Sequence, residues 1–343
     1  MQSFRSIGAI ALSCALQFPV AAFAWGADGH RMINQIAAKA LPPSVPAFLR
    51  TPAAVAEIEA LGPEEDRLKD AGTSWDDDND PGHYVDIGDD GTIDGVSLDA
   101  LPKDMRAYAV ALGRDGKDPY GDGYLPYNII DGYEQIRKDF AIWRVDDYGA
   151  KAAADAAARL AFANDLALRE TLTLRDIGVY GHFVGDGSQP LHVTIHYNGW
   201  GKYPNPKGYS DDHHLHAFFE SEFVRKYARP AAVQDLVGAY AEAPPSTLLS
   251  QAQIATLVTV YLRGSASRVT PLYDIEAAHG FASGSPAAVA FVDAQLARGA
   301  SMLRDIIVLA WDDSLNAKAG YPAVDVRDVL SGKATIPPPA GND

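Results

Sequence analysis

Val289, Val292, Leu296, Gly299, Leu303, Ile306 and Ala310 recur at intervals of three and four, which lines them up as one stripe on a helix spanning about 286–311. Ser285 is a good N-cap for that helix, and Pro286 a good first residue. Similar periodicity predicts helices near 29–41, 102–113, 128–145, 150–171 and 173–187, then near 213–227, 230–241 and 250–263. Two stretches break the pattern. Residues 72–100 are rich in Asp and Gly and read as a loop. Residues 193–212 carry Gly199, Gly201, Pro204, Pro206 and Gly208 and read as a long irregular loop. The tail from Ser331, with Pro337-Pro338-Pro339, reads as disordered over 331–343. No repeat period and no linker stand out, so the pattern predicts one all-α domain over 25–330.

The first 24 residues change the picture. Arg5 is their only charge, residues 7–23 are mostly apolar, and Ala22-Phe23-Ala24 is a small-x-small site, so 1–24 read as a secretory signal cleaved after Ala24. The apolar run is short for a membrane anchor. The rival reading is a lipoprotein signal with Cys14 as lipid acceptor, for which Ala-Leu-Ser-Cys is a poor match. Export to the periplasm or medium follows, without stable membrane insertion, and nothing calls for an obligate protein partner.

Cys14 is the only cysteine and leaves with the signal, so the mature chain of 319 residues has no disulfide to staple it. Bound metal is another staple. Losing Arg5 leaves 28 basic against 45 acidic residues, a formal charge of −17. That charge repels a polyanion at long range, so any contact with nucleic acid is expected to be local and metal-centred.

Chemistry is concentrated in a few spacings. His182 and Asp186 stand at i, i+4, on one helix face, and Pro190 lets His192 turn back toward them. His216 and Glu220 repeat the i, i+4 spacing. Imidazole and carboxylate are zinc ligands, and zinc takes about four. A single His–acid pair is ordinary on a solvated helix; two pairs with His192 between them are not. His83-Tyr-Val-Asp86 lies in the acidic loop. Trp25-Gly-Ala-Asp-Gly-His30 opens the mature chain, where a free α-amine and the Trp25 carbonyl chelate a metal as a five-membered ring with His30 in reach. That reading requires cleavage after Ala24, the bond the signal pattern selects independently.

Together, Trp-Gly-x-x-Gly-His at a mature start, Gly-Asp-x-x-Gln-Pro-Leu-His and Leu-His-x-x-x-acid resemble the zinc nucleases of the S-one/P-one type, single-strand-specific nucleases that also act as 3′-nucleotidases. Zinc phospholipases C share that superfamily. The resemblance runs in order through Trp25 to His30, the His83 region, 182–192, 213–224 and Gln295-Leu-Ala-Arg-Gly299. It implies the all-α fold of the phospholipase C and single-strand nuclease type, with long irregular loops. It also implies three Zn2+ ions. Asp66, His83, His182 and Asp186 would hold one; the Trp25 amine and carbonyl, His30 and a bridging Asp186 a second; His192, His216 and Glu220 a third. The family aspartate stands some fifteen residues before the loop His; Asp66 is seventeen before it and Asp70 thirteen. The context Glu65-Asp66-Arg67 favours Asp66.

In that scheme Asp66, Asp186 and Asp86 serve catalysis, and Tyr84 stands beside a bound base. His213 and His214 lie near enough in sequence to contact substrate, with His214 in place of a frequent Asn. The expected reaction is hydrolysis of phosphodiester bonds in single-stranded RNA or DNA, and of 3′-nucleotides, by a zinc-bridging hydroxide. Glu220 and the run His216-Ala-Phe-Phe-Glu-Ser-Glu resemble the phospholipases more than the nucleases, so a phospholipase C is the alternative. A non-catalytic zinc-binding protein is the third reading.

Overall fold

Thr51 shows how the sequence starts its helices: its hydroxyl accepts from Ala54 N at 3.1 Å, and Pro52 at the first position gives up an amide that would lack a helical partner. The computed structural model describes residues 25–238 and 251–337. Helix makes up 69% and strand 3%, which places the chain in the all-α class. The site is framed by α1 (Ala27–Lys39), α2 (Pro52–Leu61), α3 (Glu64–Leu68), α4 (Leu125–Ala152), α5 (Ala156–Asp186), α6 (Gln251–Ala266) and α7 (Pro286–Asp313). Among the described residues, strand is confined to two antiparallel ribbons, Thr92–Ile93 with Val96–Ser97 and Lys318–Ala319 with Val324–Asp325.

α4 and α5 form an antiparallel hairpin, α7 packs across both, and α1 lies in the angle between α7, α2 and α5. The predicted stripe of α7 faces inward: Val292, Leu296 and Leu303 are fully buried, and Ser285 Oγ accepts from Ala288 N at 3.2 Å. Asn34 fastens α1 from within, its Nδ2 donating to Ile58 O and Gly178 O at 2.8 Å each. Such close approach needs Gly181 on α5, where a Cβ would sit 2.0 Å from Asn34 Oδ1.

Several expectations are corrected. Residues 156–186 form one helix, not two: Thr171 and Thr173 return their hydroxyls to Ala167 O and Arg169 O inside it, at 3.2 and 2.8 Å, instead of ending it. The acidic stretch 72–100 contains a helix, Thr73–Asn79, and a ribbon. The stretch 213–227 is interrupted by a π-helical turn, Phe218–Phe223. Residues 193–212 are irregular, as expected. Within the expected tail, Ala334 and Ile336 pack against a small cluster of Ala141, Val145, Val326 and Val329; 338–343 lie outside the described residues, as does the signal reading of 1–24. No described helix is long and apolar enough to cross a membrane.

Candidate metal centre

The C-terminal end of α5 carries the first ligand candidates. Its last carbonyls need partners, and hydroxyls supply them: Tyr261 to Val184 O at 2.7 Å, Ser188 to Gly185 O at 2.8 Å and Ser265 to Gly187 O at 2.6 Å. The helix therefore stops at Asp186, before Pro190. A 3-10 turn, Pro190–His192, then brings His192 back, with Gln189 Oε1 accepting from Leu191 N at 2.6 Å.

His182 Nδ1 lies 2.9 Å from Gly62 O and donates to it, which leaves Nε2 with a free lone pair. That Nε2 is 3.0 Å from His83 Nδ1, 3.4 Å from Asp186 Oδ2 and 3.7 Å from Asp66 Oδ1. His83 Nδ1 is 3.2 Å from Asp186 Oδ2. The other oxygen, Oδ1, faces His30 Nε2 at 3.4 Å. The His30 ring stacks on His182 at 3.9 Å and lies against Gly185, where a Cβ would come within 2.9 Å of its Nδ1. The second centre is compact: His216 Nε2 is 2.9 Å and His192 Nε2 3.8 Å from Glu220 Oε2. His192 Nδ1 donates to His83 O at 2.7 Å, tying the two centres together. The ligand atoms fall into three groups, each within 4.8 Å: His30–Asp66–His182, His83–His182–Asp186 and His192–His216–Glu220.

These side chains are buried, yet both ring nitrogens of His30, Asp186 Oδ1, His192 Nε2, His216 Nδ1 and Glu220 Oε1 have no hydrogen-bond partner. Each such orphan costs about 1–3 kcal/mol in a protein interior. A cation in each group would satisfy Asp186 Oδ1, Glu220, His192 Nε2 and one nitrogen of His30, so the donor set fits metal. Burial, reinforced by neighbouring imidazoles, holds His30 and His83 well below the ordinary histidine range, and burial takes His182 and His216 down to about 4. All four are thus neutral, the form that ligates. Burial and the nearby Asp66 push Asp186 well up; burial above all pushes Glu220 to about 8. Carboxyls held protonated by burial are ones that a nearby cation would ionise.

Asp66 takes part while Asp70 does not: Asp70 is exposed, with a left-handed backbone (φ 63°). Trp25 is fully buried, its indole donating to Ser188 Oγ at 2.8 Å, and Gly26 N donates to Glu220 O at 3.1 Å. A cleft of about 270 Å³ opens onto His83, His192 and His216, with Lys69, Tyr84, Asp86 and Tyr197 on its walls. Burial, then Asp122 and Asp94, push Asp86 to about 7. His214 stands outside that lining, 85% exposed, its Nδ1 3.0 Å from Asp212 Oδ1. No protein-family model matches the chain, and no curated protein does.

Sequence reasoning missed Lys69. Its Nζ is 2.7 Å from Asp66 Oδ1; burial opposes its charge, but Asp66, Asp186 and Glu220 outweigh that and raise its pKa. The Asp66-Arg-Leu-Lys69 spacing was the available signal. Gln189 was also missed, its Nε2 3.0 Å from His216 Nε2 and 3.3 Å from Glu220 Oε2.

Proposed function

We propose that the protein is an exported zinc-dependent phosphoesterase that cleaves phosphodiester bonds of single-stranded RNA or DNA, with the fold and trinuclear site of the S-one/P-one type nucleases. The observation that carries the reading is the shared carboxylate: Asp186 offers one oxygen to His30 and the other to His83 and His182, beside a separate His192–His216–Glu220 group, and one cleft opens onto His83, His192 and His216. In this reading Asp66, His83, His182 and Asp186 hold one ion, Trp25, His30 and Asp186 a second, and His192, His216 and Glu220 a third. Bound zinc supplies a water acidic enough to attack phosphorus near neutral pH and neutralises the phosphoryl oxygens. The chain's residues do the rest. His182 is fixed through Gly62 O and His192 through His83 O, so neither ring can turn away. Lys69 stands on the cleft wall with a charge suited to a phosphate oxygen, and Tyr84 and Tyr197 offer ring faces to an unpaired base. The export reading rests on residues 1–24 alone.

A phospholipase C is the second reading, and one feature favours it. Asp80 and Asp86 share the cleft with Tyr84 and Tyr197, and acids beside aromatic faces suit a cationic headgroup as well as a base. A panel of single- and double-stranded DNA, RNA, 3′-nucleotide and phosphatidylcholine micelles, run with zinc stoichiometry by mass spectrometry, tests the proposal. About three zinc ions and highest turnover on single strands are expected. Faster turnover of phosphatidylcholine promotes the second reading, and zinc without turnover on any substrate leaves a binding protein.

A further inference from the structure

Trp25 is held by two contacts from different elements. Its indole Nε1 donates to Ser188 Oγ at 2.8 Å, and the next amide, Gly26 N, donates to Glu220 O at 3.1 Å. Ser188 is itself fully buried and passes its single hydroxyl proton to Gly185 O at 2.8 Å. The chain of bonds therefore runs one way, from indole to hydroxyl to the last turn of α5, one residue short of Asp186. Ser188 Oγ thus accepts from Trp25 and donates to Gly185 O, with the Tyr261 hydroxyl also within hydrogen-bond contact of it. Packing closes the remaining side, since a Cβ on Gly299 would come within 2.9 Å of Ser188 Oγ. The Trp25 ring also lies against Phe219, 5.3 Å between centroids, one residue before Glu220. Residue 25 is thus clamped between the two segments that carry Asp186 and Glu220.

We infer that Ser188 is a positioning residue that fixes Trp25, through its indole, beside the end of the helix that carries Asp186. This rests on the proposed metal site, in which the amine and carbonyl of Trp25 are ligand atoms. A ligand built from backbone at a chain end has no χ angles of its own to lock. The side chain must supply the rigidity, and a buried indole with one donor and one acceptor in reach does so. It also gives a reason for Trp at this position: Phe fills most of the same volume but has no donor for Ser188.

Zinc affinity and stoichiometry test this in protein purified after export, with Trp25 as its first residue, using competition against a chromophoric chelator. Ser188→Ala, Trp25→Phe and the double variant are compared with wild type. Each single variant is expected to weaken one of three zinc sites about 10–100-fold, the effect typical of losing an orienting partner, and to leave the other two unchanged. The double variant is expected to be no weaker than the worse single, because both remove the same bond. A melting temperature that falls while all zinc affinities stay at the wild-type value makes the bond merely structural and overturns the inference. Losses that multiply in the double variant overturn it as well. Wild-type protein that holds no zinc overturns the metal reading itself, and that result is visible before any variant is made.

Discussion

His30 Nε2 and Asp186 Oδ1 stand 3.4 Å apart in the dry interior, and neither atom has a hydrogen-bond partner. Apposition without bonding is costly for the isolated chain and natural for two ligands of one ion. It arises because α1 and α5 touch through Gly181 and Gly185, where any side chain would displace Asn34 or the His30 ring. The fold thus uses a close, glycine-permitted helix contact to bring the residue after the chain's Trp-Gly-x-x-Gly motif to the end of the longest described helix.

Asp186→Asn is expected to cost far more than Asp86→Asn. An amide neither balances two cations nor bridges them, whereas Asp86 lines the cleft with His83 and His192 but belongs to none of the three ligand groups. Turnover and zinc content of both variants decide it. Asp86→Asn should lose about 10–100-fold in activity with zinc content unchanged, and Asp186→Asn more than 100-fold together with bound zinc. The reverse ranking would dismantle the ligand assignment.

Chelation should destabilise the folded chain. Ions bound only by the native state stabilise it by mass action, about 4 kcal/mol for one site at a thousand times Kd. For a chain of this size that is a fall in melting temperature of roughly 8 °C on adding excess chelator. Calorimetry with and without chelator, followed by zinc add-back, measures it; an unchanged transition means the orphaned ring nitrogens are not waiting for metal.

The His–acid pairs were legible in the sequence because i, i+4 spacing is a local geometric fact, and α7 was legible because its apolar stripe repeats over about six turns. What stayed hidden depends on contacts far apart in the chain. The i, i+3 spacing puts Lys69 beside Asp66, but nothing near it announces that the pair will stand in reach of Asp186 and Glu220. The π turn that carries Glu220 is a choice of register, and Phe-Phe-Glu-Ser-Glu-Phe over 218–223 holds no residue that separates it from an ordinary helical turn. The continuous α5 was missed because Thr171 and Thr173 weaken a helix prediction, while their hydroxyls are satisfied by its own carbonyls. Gly181 and Gly185 are poor helix formers by propensity, and their use appears only when α1 lies across them.

Asp146 gives a pH dependence away from the metal. Burial first, then Asp165, push its carboxyl up to about 8. An ordinary carboxyl in the unfolded chain titrates near 3.9. The folded state therefore holds a proton that the unfolded state has lost, and stability falls as pH rises from about 4 to about 8. Asp146→Asn keeps the shape and a donor toward Asp165 but removes the titration. Urea midpoints at pH 5 and pH 8.5, with zinc chelated in all samples, should differ more for wild type than for the variant. Equal differences would mean that Asp146 is ionised in the folded protein.

Tyr84 and Tyr197 carry the substrate question. Tyr84 is held from outside the cleft, its hydroxyl donating to Tyr120 O at 3.4 Å, and Tyr197 keeps 45% of its surface exposed at the mouth. Both rings line the cleft, where stacking on an unpaired base would be worth about 1–3 kcal/mol per base and indifferent to base identity. On the nuclease reading, Tyr84→Ala should raise KM for a short single-stranded DNA by roughly 5–150-fold, the same energy expressed as a ratio, and should spare kcat because the ligand groups do not include it. A duplex hides its faces, so its slow cleavage should hardly change. The chain's formal charge of −16 and the acids on the cleft walls offer no track for a long polyanion, so KM should not improve as the strand lengthens beyond a few nucleotides. A Tyr84→Ala variant unaltered on single strands but impaired on phosphatidylcholine would assign the aromatic wall to a cationic headgroup, and Glu220 would then be the residue in the sequence that said so first.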